Sequence, residues 1–152
     1  NKESHNTGFY LYIKDLTGQK AAQKEALQKH QELRQLFDNL PVIVFYKDDA
    51  NNIVRTNKFA STLLGKSVSD VEGKSATDIF PEKYVEYFKD DMKVLHSQVP
   101  QRGIIQEFHH TDGDKSWIKT DKFPFKDPIH NEDRVLTISQ DITMMKLAEI
   151  KQ

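Results

Sequence analysis

An α+β fold is what the order of elements predicts: one antiparallel sheet with helices on one face, preceded by a long helix. Three observations carry this expectation. A Pro-free stretch rich in helix formers runs from Thr17 to Asn39. Two β-rich runs separated by a turn follow it, at 42–47 and 53–56. After several short helical segments, three further strand candidates close the chain.

The elements are justified in turn. Residues 9–16, Phe-Tyr-Leu-Tyr-Ile-Lys-Asp-Leu, form a short apolar run ending in an Asp-aliphatic-Thr junction at Asp15 and Thr17. The same pattern returns at 134–143, ending in Asp141-Ile142-Thr143, again followed by Lys and Ala at matching offsets. The repeat predicts that residues 1–16 are the terminal strand of an upstream module. Residues 17–40 are then a linker helix with Thr17 as N-cap, 41–143 a second module, and 144–152 the start of an output helix. Along 17–40, Ala22, Ala26, Leu33, Leu36 and Leu40 alternate steps of four and three, with Lys29 in the gap. That is heptad spacing, and it predicts a parallel two-stranded coiled coil, hence a homodimer through this helix. The alternative is a helix packed on its own domain.

Pro41 ends the helix, because the residue before a proline is pushed to extended geometry. Residues 48–52 read as a hairpin turn. Asn57 can cap a helix from Lys58 to Leu64, closed by Gly65. Two short helical turns flank Gly73. Pro81 then starts a longer helix to about Ser97, with Tyr84, Phe88, Met92 and Leu95 as its apolar face and Asp90-Asp91 on its wet side. Strands are expected at 103–110, 115–125 and 134–140, the first two joined through the tight Asp112-Gly113 turn.

Composition narrows the function classes. The chain has 152 residues, 37% hydrophobic and 30% charged, with a net charge of −1 and no cysteine. The dispersed charge forms no basic stripe, so nucleic acid is not expected as a partner. No run of about 20 apolar residues exists to contact or span a membrane, and no signal peptide is recognised. Lack of cysteine removes thiolate nucleophiles, cysteine metal sites and disulfides, which suits a cytoplasmic setting or the cytoplasmic part of a membrane-bound sensor.

The ordered words Asn57-Lys58-Phe59-Ala60, Leu64-Gly65, Gly73 to Pro81, Asp112 to Trp117, Lys122 to Asp127 and Asp141-Ile142-Thr143 resemble the PAS sensory domain over about 36–152. Residues 8–22 resemble the tail of another such module. The resemblance implies a PAS fold with a five-stranded antiparallel sheet. It also implies a non-catalytic role, relaying a ligand or partner event to an effector domain of the same chain, a histidine kinase or diguanylate cyclase. No kinase phospho-acceptor box or cyclase motif lies in this stretch. A ligand-free dimerisation or spacer module is one alternative, and a haem or flavin redox sensor another. The missing cysteine excludes the flavin–cysteinyl adduct of some relatives. Where haem-binding relatives carry a histidine, this chain has Tyr84, Tyr87 and Phe88.

The expected pocket residues are Phe45, Phe59, Leu63, Phe80, Tyr84, Phe88, Met92, Trp117, Lys119 and Ile138. They make either a packed core or a core hollowed around a small organic ligand, with Lys119, Thr137, Asn57 and Tyr46 as polar anchors. The ligand is left unknown and no metal is expected, since His109 and His110 point to opposite strand faces. Asp15, Thr17, Asp141 and Thr143 are the expected signal junctions.

Overall fold

The structure, a computed structural model, describes residues 2–110 and 112–151. Asn1 and Gln152, the ends of the expected first and last segments, lie outside it. The elements run α1 (Lys2–Asn39), β1 (Ile43–Asp48), β2 (Ile53–Thr56), α2 (Lys58–Leu63), α3 (Val68–Val71), α4 (Ala76–Ile79), α5 (Tyr84–Ser97), β3 (Gln101–His109), β4 (Lys115–Lys126), β5 (Asp133–Asp141) and α6 (Thr143–Lys151). The chain divides into two compact units, residues up to Phe37 and residues from Asp38 on.

The first unit is helical throughout. The strand expected over residues 9–16 is therefore replaced by helix. A strand must give its backbone groups to a neighbour, and among the described residues this segment has no β-partner; a helix satisfies them internally. Thr17 is accordingly mid-helix rather than an N-cap, and its hydroxyl donates to the carbonyl of Ile13 at 2.9 Å. Asp15 sits on the same continuous turn. Ala26, Leu33 and Leu36 lie on α1 and are exposed, as is Leu40 just beyond its end.

The second unit is built on a five-stranded sheet of order β2-β1-β5-β4-β3, antiparallel throughout. The two ends of the unit therefore meet at its centre, where β1 lies beside β5. The hairpin at 48–52 forms as expected. Asp48 accepts from the backbone N–H of Ala50 and of Asn52, and Asn51 takes the left-handed conformation at φ 65°. Asn57 caps α2 by accepting from the N–H of Ala60. The same oxygen accepts from Val44, and the amide donates to the Val42 carbonyl at 2.7 Å. One fully buried side chain thus caps a helix and fixes its approach to β1. Pro124 is accommodated because the β3–β4 pairing ends at Gln101 and Lys122, so its missing N–H costs no ladder bond.

Helix α5 departs from expectation twice. It begins at Tyr84, because residues 81–83 form a turn. Its buried face is Tyr87, Asp91, Val94 and Leu95, whereas Tyr84, Phe88 and Met92 are half-buried. The most apolar stripe on the helix is thus not the one turned to the sheet, and Asp91, expected in water, is 2% exposed.

The core has an apolar cluster of Ile43, Phe45, Ile53, Ala60, Leu64, Val71, Phe108 and Ile118, with Phe59, Leu63, Ile79 and Phe80 packed against it. Each fully buried aliphatic side chain contributes about 1.5–3 kcal/mol, which fixes the helices on this face.

Candidate functional site

Strand alternation decides what faces inward. On β4 the buried positions are Ser116, Ile118, Thr120 and Lys122; on β5 they are Val135, Thr137 and Ser139. Cross-strand register sets Thr120 beside Ser139 and Lys122 beside Thr137, while Phe45 of β1 faces Thr137 from the other side. The inner face is therefore apolar over β1 and α2 but polar over the middle of β4 and β5. Thr120 and Ser139 hydroxyls bond each other at 2.7 Å, and the Gln106 amide donates to Thr120 at 3.4 Å.

The centre of this polar patch is a buried charge triad. Asp91 points down from α5 and receives the Lys122 ammonium of β4 at 2.5 Å and the Lys47 ammonium of β1 on its other oxygen. All three side chains are at most 4% exposed. Lys47 also donates to the Asn51 amide oxygen at 3.3 Å, and Lys122 to the Thr137 hydroxyl at 3.5 Å. A buried charge is tolerable only when paired, since an unpaired one costs several kcal/mol. Here two ammonium groups share one carboxylate. Burial, the largest influence, pushes the Lys47 pKa down; Asp91 opposes this and Lys122 adds to it.

Beside the triad lies an interior cavity of about 30 Å³, lined by Ile43, Phe45, Lys47, Phe80, Tyr87, Gln106, Phe108, Ile118, Lys122, Thr137 and Ser139. Phe80 is packed edge-on between Phe45 and Tyr87, at 5.3 and 5.4 Å between ring centres. Burial pushes the Tyr87 hydroxyl up to about 12, with the nearby Glu86 carboxylate adding to the shift. Phe80, Tyr87 and Phe108 also line an outer groove of about 410 Å³ that includes Pro81, Lys83 and His110. These three rings are the wall common to cavity and groove.

Of the residues expected to form a pocket, Phe45 and Phe80 do line the cavity. Phe59 and Leu63 pack against the apolar cluster. Tyr84 and Phe88 line a separate open groove with Val85 and Lys89, and Met92 is half-buried on α5. Trp117 and Lys119 are exposed between the inward positions Ser116, Ile118 and Thr120. Ile138 alternates with the inward Thr137 and Ser139 and takes the opposite face. Among the expected polar anchors, Thr137 reaches the cavity, Lys119 and Tyr46 alternate outward, and Asn57 is occupied as a helix cap. Sequence reasoning missed Lys47, Asp91 and Lys122. A partial signal existed at Lys47 alone, which stands in phase with Ile43 and Phe45 of an apolar strand, where a lysine needs a partner.

The downstream junction is joined to β4. The Ile142 N–H donates to the Trp117 carbonyl at 2.8 Å, and the Trp117 N–H donates to the Thr143 hydroxyl at 2.9 Å. The Lys146 ammonium of α6 lies 5.7 Å from the Trp117 ring centre. Thr143, an expected signal junction, ties α6 to the sheet. Asp141 is the residue that accepts an early N–H, that of Thr143, at 2.8 Å.

His96 is exposed at the end of α5, and His110 bonds the Ser116 hydroxyl at 2.6 Å. Among the described residues no group of three or more His, Cys, Asp or Glu could hold a metal ion. No helix among them is long and apolar enough to cross a membrane.

The sheet order and the helices on its inner face can be set beside known proteins. The family model described as PAS fold matches residues 37–147. The chain belongs to the PAS-fold family. The aerobic respiration control sensor protein ArcB of Escherichia coli K12 is 26% identical over 120 residues, 78% of this chain but only 15% of that protein. The VqmA dimer of Vibrio cholerae aligns with a TM-score of 0.67 at 20% identity, over 76% of this chain and 52% of that one; VqmA is also solved bound to DPO, at 0.65 and 20%, over 73% and 57%. The PAS domain of an HTR-like protein from Haloarcula marismortui aligns at 0.58 and 23%, over 81% and 99%. These structures share the fold. The PAS assignment and the likeness to a sensor protein together give the chain a sensory, signalling role.

Proposed function

We propose that this chain is the input module of a larger signalling protein, taking a small ligand at the Asp91 cavity and transmitting its presence through β4 to α6. The observation that carries the reading is the double role of β4. One end of the strand places Lys122 in the cavity, and Trp117, five positions earlier, is hydrogen-bonded to the first residues of α6. A change in the triad's geometry therefore has a continuous strand along which to reach the output helix. VqmA, whose fold is shared, binds DPO, which supports a ligand-bearing interior.

The effector is a histidine kinase, by likeness to a sensor of which this chain spans 15%, with a diguanylate cyclase as the other candidate. The module itself binds and relays rather than catalyses, on the cytoplasmic side. Helix α1 pairs with a second copy, because Leu33 and Leu36, at 66% and 60% exposure, continue with Leu40 just beyond its end at coiled-coil spacing.

A ligand-free dimerising spacer is favoured by one observation: a cavity of about 30 Å³ holds about one water. A haem or flavin sensor has less support, since the cavity has no histidine in its lining and is far smaller than either group. Native mass spectrometry of the whole chain tests both parts of the proposal. The expected result is a dimer that retains a small organic mass. A monomer overturns the α1 pairing, and a bare dimer with no retained mass from any growth condition favours the spacer.

A further inference from the structure

We infer that the cavity's ligand is a small organic monoacid, its carboxylate seated between the Lys47 and Lys122 ammonium groups and its apolar part against Phe45, Phe80 and Tyr87. The inference deepens the sensory reading and rests on it. Its ground is a charge imbalance among buried side chains. Lys47 and Lys122 are both buried and both line the cavity, yet Asp91 is the one carboxylate bonded to them. A second carboxylate would complete an alternating square of two cations and two anions. Charge-assisted bonds of this kind are about twice as strong as neutral ones. The Thr137 hydroxyl, 3.5 Å from Lys122, lies on the same side of the cavity and can donate to the incoming oxygen.

The rest of the lining sets the ligand's body. Ile43, Phe45, Phe80, Phe108 and Ile118 make most of this lining apolar, with Gln106, Ser139 and the Tyr87 hydroxyl as its polar members, so the remainder of the acid is mainly apolar. A phosphate would bring close to two charges to a site with one to neutralise. The cavity in its present form, about 30 Å³, is smaller than the acid and must widen to take the carboxylate. The body enters by displacing the Phe80 and Tyr87 rings, which stand between the cavity and the groove of about 410 Å³ outside. Binding of an acid therefore moves the α4–α5 connection as well as the triad.

Lys47 supplies a second signature. The ionisable groups facing it are Asp91 of α5, Lys122 of β4 and Asp48 of its own strand, with Tyr87 across the cavity. Burial lowers its pKa, so the empty site can relieve the imbalance by losing a proton. A bound carboxylate holds that proton in place. Affinity for the acid then falls as pH rises above the point where Lys47 titrates in the empty site, by at most about tenfold per pH unit.

The test is thermal melting of the whole chain with formate, acetate, propionate, butyrate and benzoate, each against its neutral amide. At least one acid is expected to raise the melting temperature while its amide does not, an affinity difference of about tenfold or more. Lys47→Met leaves one ammonium on one carboxylate, a balanced pair, so it should fold, as circular dichroism will show. It should lose the preference for acid over amide. Lys122→Met supplies the same comparison from the other strand. An amide that stabilises as well as its acid overturns the monoacid inference and leaves ligand sensing standing. So does an acid preference that survives in both lysine variants. Absence of a shift with every acid also overturns it, while sensing itself stands or falls on the native-mass experiment.

Discussion

The interior of the second unit has two halves that differ in how they are held. The half under α2 and α3 is apolar: Ile43, Ile53, Ala60, Leu64 and Val71 fill it. The half under α5 is charged, with Lys47, Asp91 and Lys122 at its centre. The apolar half is a sum of many small, nearly independent burials. The charged half is a single unit centred on Asp91, because the burial of either lysine is tolerable only while that carboxylate is present. A fold that needed only stability would have filled both halves alike, since a buried ion pair is often no better than a hydrophobic replacement. On the proposed function, the charged half is the part that changes state.

The comparison breaks first at Asp91. Asp91→Ala leaves two buried ammonium groups facing each other, and should cost about 3–5 kcal/mol. Ile53→Val in the apolar half removes one methylene and should cost about 0.5–1.5 kcal/mol. Urea denaturation at neutral pH measures both. Replacing the triad whole, by Lys47→Met, Asp91→Leu and Lys122→Met together, should recover most of the loss. If Asp91→Ala costs no more than Ile53→Val, the triad is not a unit and the contrast between the halves is wrong.

The same contrast explains what the sequence could show. The sheet was legible because period-two runs, turn residues and the Asn57 cap agree with one another locally. In the interior, Phe45 and Phe80, expected in the pocket, line the cavity, whereas Ile43, Ile53, Ala60, Leu64 and Val71, which fill the apolar half, were not among the expected residues. The charged half was not legible. Asp91 and Lys122 are 31 positions apart, and nothing local says that they meet. On α5 the expected stripe of Tyr84, Phe88, Met92 and Leu95 is buried only at Leu95, its other three residues being half-buried. Trp117, Lys119 and Ile138 were misplaced for a simpler reason: a strand's phase must be known to within one residue, and a one-residue error exchanges the two faces. The terminal repeat misled differently. The run at 134–143 becomes a strand because β1 and β4 flank it, whereas the similar run at 9–16 is helical and, among the described residues, has no such neighbours.

Tyr87 stands on the boundary between the halves and sharpens the comparison with pH. Its hydroxyl is pushed up to about 12 in the folded chain, from an ordinary value of 10.0, chiefly by burial. A folded pKa above the unfolded one gives a contribution that is complete below pH 10 and is lost as pH rises toward 12. The loss approaches roughly 2–3 kcal/mol across that window. Tyr87→Phe removes this group while every other titrating side chain stays the same. Denaturation curves for the two proteins should therefore converge on going from about pH 9 to about pH 12, the mutant losing less. Parallel losses in the two proteins would mean that Tyr87 is solvated and that the cavity wall at Phe80 is open.

The smallest effect is expected where the sheet hands over to α6. The Thr143 hydroxyl accepts from the Trp117 N–H in an exposed hydrogen bond at 2.9 Å. A single bond of this kind contributes about 1 kcal/mol, small against the 5–15 kcal/mol that holds a typical domain. Thr143→Ala should leave the melting temperature within a few degrees of wild type, and Thr143→Ser should leave it unchanged. The local consequence is larger in relative terms. The Ile142 N–H to Trp117 carbonyl bond remains, so α6 stays attached by one strap where two had held it. Hydrogen exchange at the Trp117 amide should speed up by about fivefold, the equivalent of the lost bond, while amides of β1 and β5 keep their rates. In the longer protein, Thr143→Ala should alter the response to ligand more than it alters the fold, because two signalling states differ by only a few kcal/mol. An unchanged exchange rate at Trp117 would show that the hydroxyl is not what couples β4 to α6. The link from the charged half of the interior to the output helix would then rest on the Ile142 backbone bond and the Lys146–Trp117 contact.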